Sequence, residues 1–368
     1  MKKILFIDTG KEYGGGTKSF LYLLQELLKD QELDIYVHFE YDYAYSGTTI
    51  SKAIHAMGAK FIYSEPKKKL TKFKKELFRA ISKKLLRSIQ YKINFEYASN
   101  LLRKNNYDIV HLNNHFSENL YYIEAANQLK MKVIQHLRKN SPVESEKLEK
   151  LRQLSFTPIS VSKSTYNYYN AILPIDQNII YNPVIMPPME ISSSPQDTIN
   201  ILMPANFLSL KGHALVFKAF LDITRKDLRL LLAGDGTFEG EPLKNYTLLK
   251  QKGILIDLGF VTNIEDFYLS SDYVLNFSEN EGLPRAVLEG LSLGCGIIAS
   301  DIPIEKELYD ICENKNNFYI IPRNPTALLE LLNHIKPIQE KKKDLNIIET
   351  FSIQHYVDSV KNLYKALL

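Results

Sequence analysis

The chain has 368 residues, a length that accommodates two ordinary domains, each able to bury its own core. Its 45% hydrophobic and 24% charged residues form a globular mixture that excludes disordered and fibrous classes, and no window approaches a run of apolar residues long enough for a membrane-spanning helix. The net charge of +4 is uneven: residues 67–104 hold thirteen Lys or Arg against Glu76 and Glu96, a local +11 that leaves the rest of the chain at −7 and points to a local anionic partner.

Met1-Lys2-Lys3 precedes Ile4-Leu5-Phe6-Ile7, an apolar run too short for a signal-peptide core and closed by Asp8, so it reads as a buried strand. Further strands are predicted at Asp34–Phe39, Lys60–Tyr63, Asp108–Leu112, Lys132–His136, Pro158–Val161 and Ile179–Tyr181. Helical patterns lie between them, such as Thr17–Leu28, where Phe20, Leu21, Leu24 and Leu28 share a face. From Leu70 the apolar residues Phe73, Leu77, Ile81, Leu85 and Ile89 recur every three or four positions among Lys72, Lys74, Lys75, Arg79, Lys83, Lys84 and Arg87. This predicts one basic amphipathic helix before the fourth strand. Residues 182–198 then collect four prolines and Ser192-Ser193-Ser194, the composition of a linker. Strand–helix alternation resumes with Ile199–Met203, Leu228–Ala233, Ile254–Leu258, Tyr273–Phe277, Gly296–Ser300 and Phe318–Ile321, and the chain closes on an apolar-striped helix, Ser352–Leu367. Alternation of this kind implies parallel sheets: an α/β chain of two Rossmann-like, doubly wound domains facing across a cleft at their strand carboxyl ends. The boundaries read 1–182, a linker at 183–198, 199–350, and a C-terminal helix 351–368 packing back towards the N-terminal domain. Cys295 and Cys312 show no metal-ligand spacing and read as free thiols of a reducing cytosol.

Three clusters carry chemistry. Gly14-Gly15-Gly16-Thr17 follows the first strand and precedes the first helix, where backbone N–H groups and the helix dipole suit a phosphate; a plain flexible turn is the alternative. Lys211-Gly212-His213 occupies the equivalent place after the first strand of the second half, and Lys211 there is a point charge for a phosphate or an ordinary solvated lysine. The most specific cluster runs from Ser278 to Glu289. Gly282 allows close backbone approach, Pro284 suits a first helical turn, and the amides of Gly282 and Leu283 would face an anion. Glu289, set among Val287, Leu288 and Leu291, needs partners if buried; ribose hydroxyls would serve, and a rim pair with Arg285 is the alternative.

In order and spacing, these clusters resemble glycosyltransferase family 4, whose fold is GT-B. The resemblance runs through Pro158-Ile159-Ser160-Val161-Ser162, Ile179–Val184, Ile201–Gly212, Leu231–Gly236, Leu258-Gly259-Phe260, Glu281 and Glu289 as E-x7-E, Asp301-Ile302-Pro303 and Glu307. It implies a retaining transfer from a nucleotide-diphosphate sugar to a glycan or lipid-linked acceptor in cell-surface polysaccharide synthesis, by a cytoplasmic protein peripheral on the inner membrane face. No cofactor is implied, the nucleotide-sugar being a substrate, and no metal, in keeping with a sequence that contains no D-x-D triplet. Lys211 would contact the diphosphate, Glu289 the ribose, Glu281 with Gly282, Leu283 and Pro284 the sugar and phosphates, Gly259 and Phe260 the base, and Gly15 and Gly16 the diphosphate from the first domain. Lys211, Glu281, His111 and Asn113 are the expected catalytic residues, and His136 and Arg138 the acceptor-side ones. Two positions depart from the family: Asn206 stands where it usually has an arginine, so another base such as Arg138 would assist, and Asn113 stands where it often has a second histidine. Asparagine can hydrogen-bond a sugar but not act as acid or base. A nucleotide-sugar epimerase and a catalytically weakened nucleotide-sugar-binding protein are the alternatives. The basic stretch lacks a groove-like pattern of stacking aromatics, so no nucleic acid is expected; an anionic membrane surface is the expected partner of residues 67–104.

Overall fold

A computed structural model describes residues 1–65, 67–185 and 198–368. These form two compact units, Met1–Tyr181 with Tyr356–Leu368, and Asn182–His355.

In the first unit the chain runs through β1 (Lys2–Asp8), α1 (Gly15–Leu27), β2 (Leu33–Phe39), β3 (Lys60–Phe61), α2 (Lys72–Ile81), α3 (Lys83–Leu102), β4 (Ile109–Leu112), α4 (Phe116–Gln128), β5 (Lys132–Leu137) and β6 (Thr157–Ser160). The strands pair in parallel in the order β3-β2-β1-β4-β5-β6. Ile4 to Ile7 and Ile109 to Leu112 are buried without alternation, because helices cover both faces of a parallel sheet. On one face Leu5, Ile7, Val110 and Leu112 pack with Leu101, Leu102, Phe116 and Tyr122; each such side chain contributes roughly 1.5–3 kcal/mol by leaving water. Tyr356–Leu368, all but the last residue in the C-terminal helix Ile353–Leu367, close this unit, burying Tyr356, Val360 and Tyr364 and pairing Lys361 with Asp30 at 2.7 Å.

The second unit holds β7 (Ile199–Pro204), α5 (His213–Leu221), β8 (Leu228–Ala233), β9 (Leu255–Gly259), β10 (Tyr273–Asn276), α6 (Arg285–Ser292), β11 (Gly296–Ser300), α7 (Pro303–Ile311) and β12 (Phe318–Ile321), with further helices between. Its parallel order is β9-β8-β7-β10-β11-β12, so strand order reverses between β7 and β10 as it does between β1 and β4. In open α/β sheets the crevice at that reversal, beyond the strand carboxyl ends, is where ligands bind.

Every predicted strand of the second half is present. In the first half Lys60–Tyr63 shortens to β3, and Ile179–Tyr181 contributes only a single parallel bridge, Ser160 to Ile179. The basic segment is two helices: Ser82 is extended (φ −166, ψ 129) and its hydroxyl accepts from the amides of Lys84 and Leu85, ending α2 and capping α3. A two-residue hairpin, Ala44–Tyr45 with Thr48–Thr49, was not predicted. Of the expected linker, residues 186–197 lie outside the described residues, while Asn182–Ile185 belong to the second unit, Val184 N–H donating to Phe351 C=O.

Candidate functional site

In the second unit two loops meet at the reversal point. The loop after β7 passes through a 3₁₀ turn, Ser209–Lys211, and enters α5 at Gly212, whose φ of +83 is left-handed. A Cβ there would lie 2.3 Å from Phe277 C=O, so the turn fits against the end of β10 only with glycine. Four contacts lock the two loops together. Glu279 N–H donates to Leu210 C=O at 2.8 Å, and Arg323 donates to Phe277 C=O at 3.0 Å and to Leu210 C=O at 3.4 Å. Lys211 Nζ pairs with Glu281 Oε1. Lys211 is thus a partly buried cation with a fixed partner rather than a solvated side chain.

The same Glu281 oxygen accepts from Ser278 Oγ at 2.7 Å. Behind Ser278 lie Asn276, at 2.9 Å, and then Glu305, whose Oε1 is 2.5 Å from the Asn276 amide. Glu305 projects from the first turn of α7, is fully buried, and has no partner at Oε2 among the described residues. Burial, and after it the charge of Glu281, raise its carboxyl to about 8 against the opposing effects of Asn276 and Lys211. Gly282, Leu283 and Pro284 are buried, and the helix begins one residue later than expected, with Pro284 as its N-cap. Its outward first-turn amides are those of Arg285 to Val287, not of Gly282 and Leu283.

Glu289 finds internal partners. Its Oε2 accepts from the buried Tyr268 hydroxyl at 2.8 Å, and Oε1 pairs with Arg285 at 3.2 Å. A carboxylate accepts about four hydrogen bonds, so capacity for hydroxyls is left over. Asn206 is exposed, and its Oδ1 accepts from Asp235 N–H at 3.2 Å, tying the Gly234-Asp235-Gly236 turn to the loop after β7. Gly259 ends β9 with φ +64, and the Phe260 ring beyond it is exposed.

In the first unit the hub is Asp8, at the end of β1. It accepts from Gly10 N–H at 2.7 Å, Asn113 Nδ2 at 2.7 Å and Thr17 Oγ1 at 3.4 Å. Asn113 Oδ1 accepts from Arg138 Nε at 2.8 Å, and Arg138 reaches the Tyr356 hydroxyl at 3.4 Å. The helix begins at Gly15 itself, so Gly15 and Gly16 form its first turn and not a loop before it; a Cβ on Gly16 would meet Arg138 Cδ at 3.0 Å. His111 and His136 are wholly buried. His111 shares hydrogen bonds with Tyr364 OH (2.8 Å, at Nδ1) and with His136 Nδ1 (3.4 Å, at Nε2). Burial, with Arg138 beside it, lowers His111 to about 3, and burial likewise holds His136 well below the usual histidine range, so both rings are neutral at ordinary pH. Asp8, Asn276, Glu305, Tyr268 and Arg323 were not singled out in the sequence. Among the described residues no group of three or more His, Cys, Asp or Glu is placed to hold a metal ion.

Two Rossmann-like units are the architecture of GT-B glycosyltransferases, and the fold is shared across the whole chain with solved members of that class. A glycosyltransferase from Rickettsia africae ESF-5 matches with a TM-score of 0.76 at 17% identity, covering 100% of this chain and 98% of that one. Anabaena HepE in complex with UDP and glucose matches at 0.70 and 15%, covering 100% of both. The lipopolysaccharide outer core galactosyltransferase WaaB matches at 0.73 and 17%, again covering 100% of both.

By sequence, residues 189–349 match the family described as Glycosyl transferases group 1, a stretch that lies within the second unit. The O-antigen biosynthesis glycosyltransferase WclY of Escherichia coli is 28% identical over 189 residues, 48% of this chain and 51% of that protein. The match thus spans about half the length of the curated relative.

Proposed function

We propose that the protein transfers a hexose from a nucleotide-diphosphate sugar to a glycan or lipid-linked acceptor in polysaccharide assembly, with retention of anomeric configuration and without a divalent metal. The observation that carries the reading is the locked pair Lys211–Glu281 beside the N-terminus of α6 at the reversal point of the second unit. The group 1 domain over residues 189–349, the O-antigen relative and the UDP-bound fold neighbour support it.

In this reading the sugar–phosphate bond breaks and its electron pair goes to the departing diphosphate, which needs positive charge aimed at it in advance. The Lys211 ammonium and the first-turn amides of α6 supply that charge, and Glu281 holds Lys211 in place. Glu289 binds the ribose and the backbone at Gly259 and Phe260 the base. The acceptor oxygen attacks from the face the leaving group vacates, and the departing phosphate oxygen takes its proton. Asp8, Asn113 and Arg138 offer acceptor hydroxyls a fixed set of donors and acceptors. His111 and His136, buried and neutral, shape that site without exchanging protons. The protein would work in the cytoplasm, on the inner membrane face.

A panel of nucleotide sugars, beginning with UDP-sugars, is expected to give one donor whose nucleotide diphosphate raises the melting temperature, since a ligand at about a hundred times its Kd stabilises by roughly 2.7 kcal/mol. That donor should be turned over with its anomeric configuration kept and with EDTA making no difference. Inversion of the product, or loss of turnover in EDTA restored by a divalent ion, would overturn those parts of the proposal. An epimerised donor, or binding without turnover, would replace it with a different activity.

A further inference from the structure

The stripe read from the sequence divides at Ser82. Beyond it, α3 packs inward: Leu86, Ala98, Leu101 and Leu102 are buried, with Tyr91 and Phe95 against the core. Before it, α2 buries no residue at all. Phe73 is 77% exposed, Leu77 46% and Ile81 65%, and Leu85 at the start of α3 is 39% exposed. Lys68, Lys69, Lys72, Lys74, Arg79, Lys83, Lys84 and Arg87 are exposed around them.

The segment is also anchored. Lys67 Nζ pairs with the nearly buried Glu40 carboxylate at 2.5 Å and bonds the Tyr121 hydroxyl at 2.9 Å, fixing the chain just before α2. Thr71 Oγ1 caps α2 by accepting from Lys74 N–H. An apolar ridge held out from the domain and ringed by positive charge matches one surface above others, an apolar interior under an anionic headgroup layer.

We propose that the outer face of α2, with the first turn of α3, docks on an anionic lipid bilayer, Phe73, Leu77 and Ile81 entering the headgroup boundary. The test is co-sedimentation with phosphatidylcholine vesicles with and without phosphatidylglycerol. Binding is expected only to the anionic vesicles and is expected to fall as salt rises, because the attraction is screened. Each cation at the surface strengthens binding about fivefold, so reversing Lys74, Lys75, Lys83 and Lys84 to Glu should weaken it on the order of a hundredfold or more. The triple variant Phe73→Ser, Leu77→Ser, Ile81→Ser should also lose binding, with thermal unfolding unchanged because none of the three is buried. Equal binding to both vesicles, binding to neither, or a wild-type dimer that the triple variant dissociates would overturn the proposal, the last by showing that a second copy covers the face.

A second, independent observation lies in the chain Glu305, Asn276, Ser278, Glu281, Lys211. The Ser278 hydroxyl has one proton but faces two acceptors, Asn276 Oδ1 and Glu281 Oε1. Exchanging the oxygen and nitrogen of the Asn276 amide, which leaves the heavy-atom geometry unchanged, removes the conflict. Asn276 Nδ2 then donates to Ser278, Ser278 donates to Glu281, and Asn276 Oδ1 needs a donor, which Glu305 can be only when protonated. An ionised Glu305, fully buried with Oε2 unpaired, would carry a large desolvation cost.

We infer that Glu305 is a neutral carboxylic acid and a positioning residue, which through Asn276 and Ser278 turns a hydroxyl proton towards Glu281 and so fixes Lys211. Glu281 and Lys211 are the charged groups that face it; burial and the former raise its pKa to about 8. This rests on the donor site proposed above. Glu305→Gln, whose amide can donate as the protonated acid does, is expected to keep kcat/KM at pH 7, whereas Glu305→Leu should lower it about tenfold, the loss of one buried hydrogen-bonded orientation.

The pH dependence gives a readout independent of turnover. The folded protein keeps a proton that the unfolded chain, with the carboxyl at 4.5, gives up, so Glu305 lowers stability as pH rises from about 4.5 through 8. Glu305→Gln should flatten that fall in melting temperature. If Gln is as damaging as Leu, the ionised form is the working one; if Leu matches wild type, Glu305 positions nothing. Failure of the donor reading alone would remove the kinetics and leave the difference in melting profile intact.

Discussion

Lys211→Ala is expected to lower kcat about a hundredfold and to leave the fold in place, because preorganised charge at a leaving group is worth roughly 10²–10³ in rate. The ammonium is the one side-chain cation that the loop after β7 presents at the reversal point, and its partner Glu281 is held independently by Ser278. Removing Lys211 would therefore take away the charge proposed to face the diphosphate without freeing the Glu281 loop, which Glu279 N–H and Arg323 still tie to Leu210 and Phe277. The loss should fall on kcat more than on KM, since the charge being stabilised develops only as the bond breaks. Glu289→Ala is the contrast: losing the proposed ribose contact, remote from the reacting centre, should raise KM by about tenfold, the worth of one charge-assisted hydrogen bond. Steady-state kinetics with a saturating acceptor separates the two. Wild-type kcat in Lys211→Ala would remove the lysine from the mechanism, and with it the reason for placing the diphosphate there.

Gly212→Ala should be strongly destabilising, because the added methyl meets both a backbone penalty and a clash. A left-handed backbone costs a non-glycine residue roughly 1–2 kcal/mol, and overpacking adds roughly 1–3 kcal/mol, here against a backbone carbonyl that cannot swing away. The new Cβ would stand 2.3 Å from Phe277 C=O, at the carboxyl end of the strand that carries the Glu281 loop. Gly253→Ala is the internal control, since its φ is also positive, +68, but nothing lies within 4 Å of the added carbon. Denaturant unfolding of the two variants should differ by about the overpacking contribution. Because Gly212 follows Lys211 directly, the first variant should also lose nucleotide binding. Equal destabilisation of both would mean that the approach to Phe277 relaxes.

The sheets were readable because their inner strands carry no polar alternation: Ile199–Pro204 and Leu228–Ala233 are continuous apolar runs between turn signals. The hairpin at Ala44–Thr49 was not, since two-residue strands have no period to detect. The break at Ser82 was hidden because Leu77, Ile81 and Leu85 keep helical spacing through it, and only the cap geometry reveals the corner. Of the site, Lys211 and Glu281 were visible through local pattern, each flanked by glycine at a strand–helix junction. What fixes them was not. Arg323 acts across 46 and 113 residues of sequence, and Glu305 sits beside Lys306 and Glu307 in what reads as an ordinary charged helix face. Asp8 looked like the punctuation of a strand, and its role as acceptor of three hydrogen bonds depends on Asn113, 105 residues away.

The first unit is not a continuous stretch of chain: Asn182–His355 interrupt it in sequence, and Tyr356–Leu368 return to complete it. A ribosome therefore delivers the whole second unit before the first can be finished. Until Tyr356 and Tyr364 emerge, Arg138 and His111 lack their hydroxyl partners and Asp30 lacks Lys361. The unit that starts first is the last to be sealed, and during that interval it presents unpartnered surface of the kind that invites misassembly.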